Sequence, residues 1–222
     1  MSITIELSKP GAAWSGLSGA AAPACYVPAM TRKSDARARA IAAAVKLFRI
    51  QGYAATGLTQ VLEQSGAPKG SFYFHFPRGK TQLAEEAIDD YVAGRMAVLR
   101  SLSSDTAGDA PGFIRRVFGA FAQEMAGSDF QYGCLMQNLS NELAALDPAL
   151  TARIARGFAD STRIMAEHFK ACGFAPARAT ATAAALAAAL EGARTIARLE
   201  RTPAVFEALA EVFCQGCAGS GI

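Results

Sequence analysis

Residues 56–80, TGLTQVLEQSGAPKGSFYFHFPRGK, restrict this chain more than any other stretch. Val61 and Leu62 give one short helix an inward side. Ser65-Gly66-Ala67-Pro68 then breaks it, because glycine tolerates left-handed angles and proline suits the first turn of a new helix. The spacing predicts a second short helix in which Phe72 and Phe76, four apart, point inward together. Thr56 is expected as N-cap of the first helix, since a threonine hydroxyl can accept from an orphan N–H. Two short helices about a glycine-containing turn are a helix-turn-helix layout. The competing reading of SFYFHF is a β-strand, which its aromatics favour. Pro68 just upstream and helical sequence on both sides oppose it.

The residues left outside the second helix suit a DNA groove: Lys69, Gly70, Ser71, Tyr73, Phe74 and His75. Lys and His meet phosphate, Ser and Tyr donate to it, and Gly lets backbone approach. Lys69, Tyr73 and Lys80 are expected on phosphate, with Ser71 and Phe74 nearer base edges, and Thr56 is expected among the DNA-binding residues as well. Charge supports this placement. The whole chain is +3, yet residues 31–80 hold nine Lys/Arg against two acids, a surplus of seven. Residues 81–222 hold twelve against sixteen, a deficit of four. A basic head on an acidic body fits phosphate binding localised to the head.

The pattern Ala43-Ala44-x-x-Leu47-Phe48, then Gly52-Tyr53-Ala54-Ala55-Thr56, then Gly66-x-x-Lys69-Gly70-Ser71-x-Tyr73-x-His75-Phe76 resembles the TetR/AcrR transcriptional regulators. VLEQSGAPKGSFYFHFPRGK resembles the LmrA/YxaF subgroup, with Leu62 where most of the family has Ala, Ala67-Pro68 opening the recognition helix, and Arg78-Gly79 before Lys80. The likeness is dense over residues 34–94 and weaker from Gly133-Cys134-Leu135 to Asn141-Glu142-Leu143. Phe74 departs from the subgroup, which often has a polar residue there; a phenyl ring can meet a thymine methyl but cannot donate to phosphate.

The rest of the chain reads as helices, giving an all-α fold of about nine. Ile41, Ala44, Val45 and Phe48 mark the first, closed by Gly52. Leu83, Ala87, Tyr91 and Met96 mark a long one from about Gly79 to Leu102, followed by a polar loop from Ser103 to Gly112. Phe113 to Met125, Leu135 to Leu146, Leu150 to Phe169, Ala177 to Arg201 and a last segment opened by Pro203 follow. Three parts are expected: a disordered extension over residues 1–30, a DNA-binding domain over 34–94 with its helix-turn-helix at about 57–76, and an effector-binding and dimerisation domain over 95–222. The extension is rich in Ala, Gly, Ser and Pro and lacks the charged start and apolar stretch of a signal peptide.

The run Ala179 to Leu190 is too short to span a bilayer, which needs about 20 apolar residues. Small residues let another helix approach closely, so it is either an ordinary core helix or an interface. The resemblance selects a dimer through the last two helices, with Leu186, Leu190, Val205, Leu209 and Val212 as its residues. It likewise implies a small hydrophobic effector in the body, for which Met96, Phe121, Met125, Met136, Asn138, Phe158 and Met165 are the candidates. Double-stranded operator DNA and a second copy are the macromolecular partners it implies, with no membrane, and a cytoplasmic location.

Five cysteines with no secretion signal are expected as thiols. Cys214-x-x-Cys217 lacks a second pair or a His cluster, so no metal site or cofactor is expected. A thiol-switched regulator of the same fold stays open as an alternative. A helical enzyme with a hydrophobic substrate is the more distant one, since His75 and His168, the only histidines, complete no Ser/His/Asp set.

Overall fold

The computed structural model describes residues 36–218. The expected extension over residues 1–30 lies outside the described residues. Among these the chain forms nine helices and no strand: α1 (Ala36–Gln51), α2 (Leu58–Ser65), α3 (Lys69–His75), α4 (Gly79–Asp105), α5 (Ala110–Gly127), α6 (Leu135–Leu143), α7 (Pro148–Ala171), α8 (Pro176–Glu200) and α9 (Ala204–Ala218). SFYFHF is therefore helical, within and just after α3.

The helix ends follow from local chemistry. Gly52 closes α1 at φ 83°, a left-handed conformation that favours glycine, and an added Cβ there would displace the Glu142 carboxylate. Asp109 and Asp147 cap α5 and α7, accepting from Gly112 N and from Ala149 N and Leu150 N, with proline in each first turn. Two boundaries differ from expectation. The polar loop after α4 begins only at Thr106, whose hydroxyl bonds back to Leu102 O, while Ser103 stays helical with its Oγ 3.0 Å from His168 Nδ1. Leu146, expected on the inner side of α6, is 78% exposed because α6 stops at Leu143 and the next residues turn toward the Asp147 cap.

Two apolar cores result. One joins α1–α3, the first half of α4, α6 and the start of α7 around Phe48, Phe72, Phe76, Tyr91 and Met136. The other joins the end of α4 with α5, α7, α8 and α9 around Phe113, Phe118, Phe121, Phe169 and Phe206. Helix α4 passes through both, with Arg95 buried between Val92 in the first and Leu99 in the second. No helix of the described residues is long and apolar enough to cross a membrane.

Candidate nucleic-acid interface

Helices α2 and α3 meet at Gly66, which is left-handed at φ 62°. Ser65 fastens the turn: its hydroxyl donates to Leu62 O at 3.1 Å and accepts from Ala67 N at 3.2 Å. Pro68 is the residue before α3, with its carbonyl accepting from Phe72 N. Phe72 and Phe76 are 1% and 0% exposed with ring centroids 4.9 Å apart, so they anchor α3 to the head. Apart from Ser71, whose side chain lies outside the described residues, what remains outside is as expected from the spacing. Lys69 and Gly70 are exposed, Tyr73 is 51% and Phe74 83% exposed, and His75 is half-buried. An added Cβ at Gly70 meets nothing within 4 Å, so nothing in the chain itself demands glycine there.

Thr56 departs from its expected role. It is fully buried and its hydroxyl donates backward to Gly52 O at 2.6 Å, while the N-cap of α2 is Gly57. The side chain therefore fastens the end of α1 and presents no surface to DNA. Lys80 has a partner within the chain: its ammonium donates to Tyr53 O at 2.6 Å and lies 4.1 Å from the Tyr53 ring centroid. Burial pushes this ammonium below its ordinary pKa, and the Glu142 carboxylate partly offsets that. Glu142 also accepts from Tyr53 N and Ala54 N at 2.8 and 2.5 Å. The α1–α2 connection is thus gripped from α4 and α6 together.

The basic head is less basic than its count. Arg37 pairs with Glu86 and Arg78 with Glu85, both just past the window over which the surplus was counted. Arg39 donates to Ser65 O. Arg49 is 1% exposed and pairs with Glu124 of α5 at 2.8 Å. Lys46 and Lys69 remain outward-facing.

The residues expected to hold an effector are divided between the two cores. Phe121, Met125 and Met165 are core of the second cluster, Met136 of the first, and Met96 and Phe158 are half-buried beside the first. Asn138 donates to Phe48 O and Arg49 O, both at 3.0 Å, so its amide caps α1. Of the expected dimer residues, Leu186 and Leu190 are 0% exposed and belong to the interior of the protomer, not to its surface. Val205 and Leu209 are half-buried, and Val212 is 63% exposed. The outward face of α8 is made by its neighbours: Ala188, Gly192, Ile196 (42%) and Leu199 (78%). Cys214 is buried and Cys217 half-buried; burial pushes both thiols up, away from the reactive thiolate. Among the described residues no group of His, Cys, Asp and Glu could hold a metal ion.

Sequence comparison agrees with this geometry. Residues 40–87 match the model of bacterial regulatory proteins of the tetR family, and residues 112–212 match the LmrA/YxaF-like transcriptional regulator C-terminal domain. YxaF, an uncharacterized HTH-type transcriptional regulator of Bacillus subtilis, is 31% identical over 73% of this chain and 85% of its own length. The chain belongs to the TetR family. The HTH-type transcriptional regulator LmrA of Bacillus subtilis is 41% identical over 91 residues, which span 40% of this chain but only 48% of LmrA. A TetR regulator from Legionella pneumophila superimposes with a TM-score of 0.76 at 20% identity, covering 84% of this chain and 99% of that one. The regulatory protein TetR from Rhodobacter sphaeroides gives 0.71 at 28% identity, covering 82% and 98%. This TetR-family chain is thus a DNA-binding transcriptional regulator and not an enzyme.

The sequence reading missed the charged groups buried between the two cores: Arg49, Arg95, Glu124, Glu191 and Arg194. A signal was present. Each stands in the apolar phase of its helix, as Arg95 does between Tyr91 and Leu99.

Proposed function

We propose that this TetR-family regulator is a cytoplasmic repressor that binds a palindromic operator as a homodimer and leaves it when a small effector binds the body. The observation that carries the DNA reading is α3 itself. Phe72 and, just past the helix, Phe76 are buried, while Lys69, Gly70 and Phe74 are exposed and Tyr73 is about half exposed. Lys69 and Tyr73 would meet phosphate, and Phe74 would reach a base edge, where a thymine methyl is its natural neighbour. Lys80 keeps two N–H groups beyond the one given to Tyr53, which leaves it able to meet phosphate as well.

A short helix reads few base pairs, so two copies with recognition helices about 34–36 Å apart are needed to read successive major grooves. The apolar outward face of α8 and α9, with Ile196, Leu199 and Val212, supports a two-fold contact there. An effector that prefers the DNA-incompetent arrangement then shifts the balance, with a coupling of about 1–3 kcal/mol. The test is an operator titration across protein and salt concentrations, with sedimentation under the same conditions. A dimer whose operator affinity falls steeply with salt is expected; a monomer binding DNA at full strength, or no salt dependence, contradicts the reading.

A further inference from the structure

Between the two cores lies a cluster of charge drawn from four helices. Glu124 of α5 bridges Arg49 of α1 (2.8 Å) and Arg194 of α8 (2.7 Å). Beside it Arg95 of α4 pairs with Glu191 of α8 (2.9 Å). None of these residues is more than 8% exposed. Three guanidiniums face two carboxylates, which leaves one positive charge in excess inside the protein. The two other acidic groups in the cluster cannot neutralise it, since burial raises both the Tyr91 phenol and the Cys134 thiol and keeps them protonated. Arg198 at its edge adds to the same sign; burial chiefly lowers its pKa, and Arg194 and Arg49 add to that.

The hydrogen bonding is incomplete in the same place. Arg194 Nε and Nη1, Arg95 Nε and Glu191 Oε2 are buried with no partner. Buried polar groups are nearly always bonded, and an unpaired buried charge is costlier still. Flat rings frame these donors. Arg194 and Arg95 lie 4.4 and 5.2 Å from the Phe121 centroid, and Arg49 lies 4.4 Å from that of Tyr132. Arg49 and Tyr132 also wall a groove of about 340 Å³ that continues past Arg39 and Lys46. A basic groove with an aromatic side therefore opens on Arg49, the cluster member nearest the DNA-binding head.

We propose that this cluster is the effector site and that the effector carries a carboxylate, or a comparably acidic group, on a flat apolar body. The proposal rests on the effector-released reading above and adds its chemical class. A carboxylate oxygen can accept from Nε or from Nη1 of Arg194, which lie on opposite sides of the guanidinium, while Nη2 stays with Glu124. It also supplies a consequence. Glu124 is shared between Arg194 and Arg49, and Arg49 sits two residues from the end of α1, in the DNA-binding head. An added anion at Arg194 competes with Glu124 for that arginine and changes what holds α1 to the body.

The test is a calorimetric titration of the full chain, without DNA, with benzoate and 1-naphthoate and with their uncharged carboxamides. The acids should half-saturate at least about tenfold below their amides, equivalent to ~1.4 kcal/mol. Arg194→Met should abolish the difference. Should that variant fail to fold, Glu191→Gln keeps the shape, removes a competing negative charge and should widen the preference for the acid. Equal binding of acid and amide, binding of neither, or a preference that Glu191→Gln leaves unchanged overturns the proposal. The titration without DNA tests the site alone; in a separate operator titration, an acid that binds there yet fails to weaken operator binding would keep the site and refute only the effector reading.

Discussion

The outward face of α3 and the end of α1 lie in the same small head and work in opposite ways. In α3 the chain leaves Phe74 uncovered and Tyr73 about half so, with ring contacts to their own neighbours His75 and Phe72. At the end of α1 almost every polar group is taken. Arg49 O accepts from Gly133 N, Asn138 Nδ2 and Arg198 Nη2, while Arg49 Nε donates to Gly133 O. The comparison teaches that recognition is placed where substitution is cheap for the fold, and the head-to-body link where it is expensive.

The sharpest way to break this comparison is to substitute one residue of each kind. Glu124→Ala strands two buried guanidiniums and should cost about 3–5 kcal/mol in denaturant unfolding. Phe74→Ala, on the surface, should stay within about 0.5 kcal/mol. Similar costs for the two would remove the contrast.

A second pair sharpens the account of α8. Leu190→Arg places a charge in the interior and should prevent folding, read as loss of the cooperative melting transition. Leu199→Glu together with Val212→Glu should leave that transition in place, convert dimers to monomers in sedimentation and weaken operator binding at least about tenfold. Dimers that persist in the double variant would place the contact elsewhere.

Smaller effects separate the two lysines. Lys69→Ala should weaken binding to all sequences alike and lower the salt slope by about 1 per half-site. Lys80→Ala should do the same if its remaining N–H groups meet phosphate. An unchanged slope with a modest loss of stability, about 1 kcal/mol, would assign Lys80 to the Tyr53 carbonyl alone.

The smallest expected effect is a pH dependence at His168, which is stacked on Phe113 and held below its ordinary pKa chiefly by burial. The unfolded chain takes up that proton near pH 6.5 and the folded chain only at lower pH. Its contribution is therefore fully present above about pH 6.5 and is lost as pH falls through the folded value. His168→Gln should flatten the melting temperature over that range; an unaltered pH profile would assign the dependence to other groups.

The helix-turn-helix was readable because its signals are local. Gly66, Pro68 and the Phe72–Phe76 spacing each act within a few residues. The same local logic misplaced Thr56, whose hydroxyl had two partners in reach and turned to the carbonyl of Gly52. The α8 residues were misread for a related reason. A run of alanines gives little periodicity, and the larger leucines at 186 and 190 drew attention although their size is what the interior needs. The charge cluster was out of reach because its pairs are far apart in sequence. Arg49 and Glu124 stand 75 residues apart, so the apolar phase of each marks it as inward without naming its partner.

The most direct test of the central claim, that the outward face of α3 reads DNA, is selection of duplexes from a random pool by the wild-type chain and by Phe74→Ala at one fixed salt concentration. The wild type should enrich a palindrome whose half-sites are about one helical turn apart. Phe74→Ala should enrich the same frame with relaxed choice at one position in each half. Recovery of no palindrome, or of identical sequences by both chains, would contradict the assignment of this face.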